Sequence, residues 1–426
     1  MLANYLKIRE RGDRLSRSIK PYLYREFKSF RSVISNGECG YDRNSIFNVE
    51  FNPDGSCLLA ACERRSILIF DCITHRKIKE IFPAHSDCVN VVRFLDNRLF
   101  ISCSDDYTIA VWDFRNTKAK LTTLKGHRNW VKSIEYCAAS KVLITSGFDD
   151  TIRVWDMNSL RSQANNEVTD CEVYLATGIS RLKLSPDEKK LAIATVDGNL
   201  LIVRNLNINS LKDNLRPTYS QGKLIPTVIS SEILNNPTSV KENEIKNSFE
   251  IIRTFPDELF DVSERCHRNG LYSMDFHPQS MNLITRFTLA DDNYLSVLEL
   301  LSVHGLNFSS FDRAHHESQL THYKVEANFR PSVDYIKEIS FGADGQVICS
   351  PYGFGVRLLS YDHNCCPYEF SEPLKRKSHY PTELNTLQLL HGHMEACLTS
   401  RWSPVHMLIA SGGLDGNVIF HEPKIT

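Results

Sequence analysis

The chain has 426 residues, of which 42% are hydrophobic and 10% aromatic, and this is enough apolar material to bury a substantial core. A net charge of -1 gives the chain no overall electrostatic attraction to nucleic acid, so direct nucleic-acid binding is not expected. The 13 cysteines are an odd number and fall mostly inside apolar runs, which is typical of reduced, buried thiols rather than of a disulfide framework. No run approaches the roughly 18 apolar residues of a membrane span, and no apolar signal region opens the chain. We therefore expect a protein of the cytoplasm, the nucleus or both.

Residues 1–30 have the periodicity of short helices. Their apolar side chains share helical faces, namely Leu2, Tyr5 and Leu6, then Leu15 and Ile19, and after Pro21 the set Leu23, Phe27 and Phe30. The polar side is basic, with nine Lys or Arg and three acidic residues through Arg31. Three interpretations are open at this point: a cap on the following domain, a docking segment for a partner, and a nucleic-acid or nuclear-import patch.

A unit of three strands then recurs along the chain. Each copy has an alternating apolar strand, a turn, a strand of small residues, an acidic or polar turn and a third apolar strand. The anchor aromatics Phe51, Phe94 and Tyr136 lie 43 and 42 residues apart. This period is typical of a four-stranded propeller blade of about 40–45 residues, so the sequence predicts an all-β propeller.

Two of the repeats carry His, Ser, Asp and Trp at matching positions and resemble the WD-repeat family. In that family these four residue types form a hydrogen-bonded chain within one blade. The resemblance implies two structural tetrads, His85, Ser102, Asp106 and Trp112 in the second repeat and His127, Ser146, Asp149 and Trp155 in the third. A buried histidine must satisfy both ring nitrogens, and an aspartate with a hydroxyl can do so. These residues are therefore interpreted as structural rather than catalytic.

Four further repeats follow with eroded signatures, and the prediction is a seven-bladed WD-repeat β-propeller over residues 31–426, preceded by short N-terminal helices. Six and eight blades are the alternatives. Val203-Arg204 and His421-Glu422 stand where Trp-Asp is expected in the fourth and seventh repeats, so the polar chain is predicted to be incomplete in both. The seventh repeat ends without a fourth strand, and Arg31 to Ser35 are expected to supply it, since an open edge exposes unpaired backbone groups.

Three segments interrupt the repeats, namely 207–264, 307–330, which lacks strand periodicity, and 365–381, which is basic. The first is rich in Asn, Ser, Lys, Glu and Pro and is predicted to be a largely disordered insertion between blades four and five. In the third, His363 precedes Cys365 and Cys366, but adjacent cysteines do not have the spacing of a zinc finger and no second pair follows. No metal site is predicted.

The sequence has no dinucleotide fingerprint, phosphate-binding loop, nucleophile elbow or zinc-protease motif. Paired carboxylates such as Asp105-Asp106 and Asp149-Asp150 fall in tight turns, where aspartate is a normal residue. We therefore predict that the chain is not an enzyme and needs no cofactor.

The second repeat ends in Trp112-Asp113-Phe114-Arg115, and the equivalent of Arg115 is Ile73 in the first repeat and Asn158 in the third. A guanidinium after the third strand is expected on one flat rim, where its planar fork can make bidentate bonds to a partner. This motif resembles that of the substrate receptors of cullin-4 RING ubiquitin ligases. Segments 22–30, 94–98, 103–106 and 145–149 resemble the same family.

That resemblance implies that the arginine contacts the damaged-DNA-binding adaptor protein of the ligase. It also implies that an N-terminal helix, either 2–11 or 15–30, inserts into the same adaptor. The implied adaptor-binding residues are Arg115, Asp113, Trp112, Leu2, Tyr5, Leu6, Leu15, Ile19, Leu23 and Phe27. Members of that family often carry a second such arginine in the next blade. Because Asn158 stands there, adaptor binding is expected to depend more heavily on the N-terminal helices.

The implied function is a substrate receptor, which holds a target protein near the ubiquitin-charged enzyme and so raises its effective concentration. Trp130, Tyr107 and Phe148 are predicted in loops of the opposite face and are candidates for target contacts. Packing of these three side chains along the central channel is an equal alternative. The alternative function is a general WD-repeat interaction scaffold with no link to a ligase.

Overall fold

The computed structural model describes residues 23–32, 44–158, 170–174, 179–195, 199–204, 206, 217–220, 223–226, 248–253, 270–279, 282–289, 292–299, 319–325, 338–361 and 386–424. Within these residues the chain forms seven four-stranded antiparallel sheets and one two-stranded hairpin. The first strand of each sheet packs against the first strand of the next, and the first sheet also packs against the seventh. The sheets therefore form a closed ring, and the prediction of an all-β WD-repeat propeller is confirmed.

The first three sheets follow one another in the chain after a first strand that belongs to sheet seven. The opening strand is β1 (Phe27–Arg31). Sheet one contains β2 (Ile46–Phe51), β3 (Cys57–Cys62), β4 (Ile67–Asp71) and β5 (Lys77–Ile81). Sheet two contains β6 (Val89–Phe94), β7 (Leu99–Ser104), β8 (Thr108–Asp113) and β9 (Thr122–Lys125). Sheet three contains β10 (Val131–Cys137), β11 (Val142–Gly147), β12 (Thr151–Asp156) and β13 (Asp170–Tyr174).

The remaining sheets have longer connections. Sheet four contains β14 (Ile179–Leu184), β15 (Lys190–Thr195), β16 (Asn199–Arg204) and, after the hairpin of β17 (Pro217–Ser220) and β18 (Lys223–Pro226), β19 (Ser248–Arg253). Sheet five contains β20 (Gly270–Phe276), β21 (Leu283–Leu289), β22 (Asp292–Glu299) and β23 (Gln319–Val325). Sheet six contains β24 (Ser340–Phe341), β25 (Val347–Tyr352), β26 (Gly355–Ser360) and β27 (Thr386–His391). Sheet seven contains β28 (Cys397–Trp402), β29 (Ile409–Gly413), β30 (Val418–Pro423) and β1.

The hydrophobic core is divided among the spaces between neighbouring sheets. Leu59 and Ile67 of sheet one, for example, pack in one cluster with Val92, Phe100 and Trp112 of sheet two. Similar clusters lie between sheets two and three, three and four, and seven and one. Successive side chains point to opposite faces of a sheet, and because both faces are covered, strands such as β3 and β4 are buried along almost their whole length. Each sheet is therefore stabilised by two neighbours.

The ring is closed by β1, which pairs antiparallel with β30 from Phe27↔Pro423 to Arg31↔Ile419. The closing strand was expected at Arg31 to Ser35, so the prediction is correct about the end of the chain that supplies it but wrong about the residues. The prediction that Phe27 and Phe30 share a helical face is also wrong, because both lie in β1. The propeller consequently begins at Phe27 rather than at residue 31.

The predicted insertions contain outer strands of the propeller. β19 lies inside segment 207–264 and pairs with β16 along its whole length, and β23 lies inside segment 307–330 and pairs with β22. These parts of the two segments are therefore not loops, and the prediction missed them because the segments around the two strands are rich in polar residues. Segment 365–381, with His363 just before it, lies outside the described residues.

The channel at the centre of the ring is lined by a layer of alternating charge. Each of the seven innermost strands contributes one residue to this layer, at the position equivalent to that just before Phe51 in β2. In ring order these residues are Glu50, Arg93, Glu135, Lys183, Asp275, Ser340 and Arg401. Neighbours in this layer form ion pairs, with 2.8 Å from Arg93 Nη1 to Glu135 Oε1, 3.2 Å from Lys183 Nζ to Asp275 Oδ1, and 3.0 Å from Arg401 Nη2 to Glu50 Oε2.

Seven positions cannot alternate completely because seven is odd, and the uncharged Ser340 stands at the one position where alternation must fail. There the backbone N–H of Phe341 donates to Asp275 Oδ2 at 2.9 Å. The layer therefore joins sheet five to sheet six by a backbone hydrogen bond where an ion pair is missing. Three positive and three negative charges therefore balance within this layer.

Candidate protein-binding surfaces

The four predicted tetrad residues of sheet two form one hydrogen-bonded chain. His85 Nδ1 lies 2.9 Å from Asp106 Oδ2, and His85 Nε2 lies 2.8 Å from Ser102 Oγ. Trp112 Nε1 donates to the same hydroxyl at 2.9 Å. Because the indole N–H occupies an acceptor position of Ser102, the hydroxyl hydrogen is assigned to His85 Nε2 and the imidazole proton to Nδ1, facing Asp106. Every polar group of this buried chain therefore has a partner.

In sheet three the hydroxyl comes from Thr145, and the assignment of Ser146 was wrong. His127 Nε2 and Trp155 Nε1 both lie 2.9 Å from Thr145 Oγ1, while His127 Nδ1 lies 3.0 Å from Asp149 Oδ2. Thr145 and Ser146 are adjacent in a strand and so point to opposite faces of the sheet. The hydroxyl of Ser146 is buried and has no hydrogen-bond partner among the described residues.

Sheet seven has a third chain, where the sequence predicted an incomplete one. His393 Nδ1 lies 3.0 Å from Asp415 Oδ1, and His393 Nε2 lies 2.9 Å from Ser411 Oγ. His421 takes the place of tryptophan, with its Nε2 2.9 Å from the same hydroxyl. The prediction failed because an imidazole N–H at this position can donate to the hydroxyl as an indole N–H does.

These chains shift the pKa values of their members. Burial alone would raise the pKa of Asp149 and of Asp415, but hydrogen bonds from His127 and His393 outweigh it and lower each to about 2. Burial together with the nearby His393 lowers the pKa of His421 to about 3, whereas Cys397 and Asp415 overcome burial and raise that of His393 to about 9. The buried carboxylates are therefore ionised at neutral pH, and His421 is neutral.

Arg115 stands on a turn whose geometry is fixed by the preceding aspartate. Asp113 Oδ1 accepts a hydrogen bond from the backbone N–H of Arg115 at 2.9 Å, and Asp113 Oδ2 accepts one from Arg98 Nε at 2.9 Å. The hydrogen bond from Arg98, and then that from Arg115, lower the pKa of Asp113. Phe114 anchors the turn by packing against Phe94, with ring centroids 5.7 Å apart. The guanidinium of Arg115 is exposed, and no described side chain pairs with it.

The same turn recurs in the neighbouring sheets. Asp71 Oδ1 accepts from the backbone N–H of Ile73 at 2.8 Å, and Asp156 Oδ1 accepts from that of Asn158 at 2.8 Å. Ile73, Arg115 and Asn158 therefore occupy equivalent positions, as the sequence predicts. We call the face that carries these turns, together with the turns between the first and second strands of each sheet, the Arg115 rim.

Of the other predicted adaptor-binding residues, two are placed in the core. Trp112 is buried in its tetrad, and Phe27 is buried against Trp402, with ring centroids 5.9 Å apart. Neither side chain is accessible to a partner, because each belongs to the packing of the propeller. Leu2, Tyr5, Leu6, Leu15 and Ile19 lie outside the described residues.

The N-terminal segment joins the propeller at the Arg115 rim. Tyr24 is buried there, with its hydroxyl donating to Asp344 in the turn between β24 and β25 and its ring 5.7 Å from that of Trp402. Leu23, just before it, is half-buried. Leu23 and Tyr24 therefore lie on the same face of the ring as Arg115.

The three predicted target-facing aromatics lie on the opposite face, which we call the Trp130 rim. Trp130 is 42% exposed, Tyr107 45% and Phe148 38%. The rings of Trp130 and Phe148 lie 5.9 Å apart, and Lys132 Nζ stands over both, at 4.8 Å and 5.6 Å from their centroids. Asp105 Oδ1, 2.8 Å from Lys132 Nζ, holds that ammonium group in place. The three aromatic side chains are thus partly exposed on this rim.

Comparison with known proteins gives the family. The WD40 family (WD domain, G-beta repeat) matches residues 76–113, 118–156 and 384–422. DDB1- and CUL4-associated factor 10 of Homo sapiens is 35% identical over 408 residues, covering 89% of this chain and 70% of the human protein. The proteins of the same name from Danio rerio and Xenopus tropicalis are each 34% identical, covering 89% of this chain and 74% and 85% of their own lengths. The chain belongs to the DDB1- and CUL4-associated factor 10 family.

The sequence analysis did not predict several residues that shape these surfaces in this member of the factor 10 family. Arg98 forms an ion pair with Asp113. The pairing of Leu99 with Asp113 at the end of the β7–β8 ladder brings the preceding residue, Arg98, close to this carboxylate, and aligning the two strands in the sequence would have predicted the contact. Thr145 and His421 were missed in the tetrads. Within the described part of the chain no three metal-ligating side chains cluster, and no helix there has the length and apolar character needed to cross a membrane.

Proposed function

We propose that this protein is a substrate receptor of a cullin-4 RING E3 ubiquitin ligase, which recruits target proteins by binding the DDB1 adaptor. The observation that carries the proposal is Arg115, an exposed guanidinium without a partner among the described residues, on a turn fixed by Asp113 and Arg98. The fixed backbone presents the side chain at a defined point of the rim, and its planar guanidinium can make a bidentate contact with a carboxylate of a partner. The names of its relatives state association with DDB1 and CUL4.

The N-terminal segment is the second part of the proposed adaptor contact. Tyr24 fixes its point of entry on the Arg115 rim, so the segment and the arginine can reach one partner at the same time. Two linked contacts bind more strongly than either alone because the second becomes intramolecular. This supports a docking segment over residues 1–22 rather than over residues 1–30.

The proposed role of the protein is to position a target and not to perform chemistry. A target bound on the Trp130 rim, at Trp130, Tyr107 and Phe148, would leave the Arg115 rim free for the adaptor. The target's lysines would then be held near the ubiquitin-charged enzyme. The eight cysteines whose side chains the structure describes are free thiols, which supports a reducing compartment such as the cytoplasm or the nucleus.

The test is a pull-down of purified DDB1 and CUL4 with the wild-type chain, Arg115→Ala and a deletion of residues 1–20. Arg65→Ala is the matched control, because Arg65 is an exposed arginine in a turn of the Trp130 rim. Circular dichroism checks that each variant is folded. We expect Arg115→Ala and the deletion each to reduce capture about tenfold or more, and Arg65→Ala to leave it unchanged.

Capture that is lost in either folded variant supports the substrate-receptor function. If the wild-type chain captures no adaptor under conditions in which an established receptor does, the proposal is wrong. The protein would then be a WD-repeat scaffold with other partners.

A further inference from the structure

The side chain of Ile73 is held in water by a rigid turn. It is 83% exposed, and no other large apolar side chain among the described residues is exposed to that extent. The Asp71 carboxylate accepts hydrogen bonds from the backbone N–H groups of Ile73 and Thr74, both at 2.8 Å. These bonds, that of Thr74 first, lower the pKa of Asp71, so the turn keeps its ionised cap at neutral pH. The isoleucine is therefore presented in a fixed position.

That position is the one that Arg115 occupies on the next sheet. In both turns the side chain belongs to the residue two places after an aspartate whose Oδ1 accepts that residue's backbone N–H. The equivalent residue of sheet three, Asn158, turns its amide back to Asp156, with Nδ2 2.9 Å from Oδ1. Sheets one and two thus direct their side chains outward at this position, whereas the Asn158 amide of sheet three is engaged by its own turn.

Sheet one also lies between the two parts of the proposed adaptor contact. The N-terminal segment enters at sheet seven, where Tyr24 packs on Trp402, and Arg115 stands on sheet two. β2 of sheet one packs against β28 of sheet seven on one side and β6 of sheet two on the other. A single partner that contacts both parts by the shorter way round the ring therefore passes over sheet one, whose turn carries Ile73 on the same rim.

We propose that Ile73 inserts into an apolar pocket of the adaptor and is the hydrophobic counterpart of the Arg115 contact. This inference rests on the proposed function, since it takes the adaptor as the occupant. The chemistry on the adaptor side is an apolar pocket beside carboxylate groups, because Ile73 is uncharged while Arg115 and Arg98 on the adjacent turns are cationic. A preorganised isoleucine gains the full benefit of burial without the cost of ordering a loop.

The test measures the affinity of purified DDB1 for the full chain carrying Ile73→Ser, Ile73→Val or Arg115→Ala, at 0.1 M and 0.5 M salt. Met394→Ser is the matched control, since Met394 is 71% exposed on the Trp130 rim. We expect Ile73→Ser to weaken binding about tenfold at both salt concentrations, because apolar contacts are not screened. Ile73→Val should retain most of the affinity, and the effect of Arg115→Ala should shrink at high salt.

The outcomes separate the two proposals. If Arg115→Ala weakens binding but Ile73→Ser stays within about twofold of the wild type, the inference is overturned and the proposed function stands. If Met394→Ser weakens binding as much as Ile73→Ser, the effect is not specific to the Arg115 rim, and the inference is again overturned. If the wild-type chain does not bind DDB1, both the proposed function and this inference fail.

Discussion

Ser29 of the first strand and His421 of the last are joined by a hydrogen bond of 2.8 Å between Oγ and Nδ1, although 392 residues separate them in the chain. The other nitrogen of His421 reaches Ser411, which also bonds His393. The polar chain of sheet seven therefore continues into the strand that closes the ring. Side chains tie the two ends of the chain together at the place where β1 pairs with β30.

This closure predicts that two N-terminal deletions differ sharply in stability. Removing residues 1–22 leaves β1, Tyr24 and their described contacts in place, so the melting temperature should stay near that of the wild type. Removing residues 1–32 exposes the edge of β30 and leaves Trp402 without Tyr24 and Phe27, so the melting temperature should fall by about 5 °C or more. Thermal unfolding followed by circular dichroism measures both, and equal melting temperatures would contradict the closing role of β1.

The adjacent hydroxyls of β11 provide a matched pair of substitutions. Thr145→Val leaves the buried Trp155 Nε1 and His127 Nε2 without a partner and should lower the free energy of unfolding by about 2–4 kcal/mol. Ser146→Ala removes a hydroxyl that is buried and unpartnered, so it should be neutral or slightly stabilising. Urea denaturation distinguishes the two, and a larger loss from Ser146→Ala would show that the tetrad had been assigned to the wrong residue.

The sequence was sufficient to predict the repeat because the first strands of the first three sheets alternate and the anchor aromatics recur at nearly the same spacing. It failed at the outer strands β19 and β23, which lie in segments of mostly polar composition and whose pairing depends on neighbouring strands as well as on their own residues. It also failed at Phe27 and Phe30. Apolar residues three or four positions apart in so short a segment do not exclude a strand.

The candidate protein-binding surfaces could be predicted only in part from the sequence. The position of Arg115 followed from the repeat, but the turn that fixes it depends on Arg98, which belongs to a different hairpin connection. Ile73 was visible in the sequence as the equivalent residue, whereas its exposure and its place between sheets seven and two required the ring. Contacts between residues of different sheets could not be predicted from the sequence alone, because they depend on how the sheets are arranged in the closed ring.

The charged layer of the channel predicts energetic coupling between sheets seven and one. Glu50 and Arg401 form an ion pair of 3.0 Å in which both side chains are mostly shielded from water. Arg401→Gln or Glu50→Gln alone should lower the free energy of unfolding by about 2 kcal/mol or more, because the remaining charge loses its partner. The double variant should cost less than the sum of the two. A double-mutant cycle in urea measures this coupling, and additive effects would contradict it.

The combined contribution of the two histidines of sheet seven to stability is predicted to be greatest near pH 6.5. His421 has a pKa of about 3 in the folded protein and 6.5 in the unfolded chain. As the pH falls below 6.5, the unfolded state binds a proton at this residue and the folded state does not, so stability falls. His393 has a folded pKa of about 9, so its contribution is complete below pH 6.5 and is lost as pH rises from 6.5 to 9.

His421→Trp removes the first of these effects and retains a donor for Ser411. Its free energy of unfolding should therefore depend less steeply on pH between 6.5 and 5 than that of the wild type, while the loss between pH 6.5 and 9 remains. His391→Asn, at an exposed position of β27, is the control and should follow the wild-type curve. Urea unfolding at a series of pH values measures the slopes, and an unchanged acid slope in His421→Trp would mean that His421 is not neutral in the folded protein.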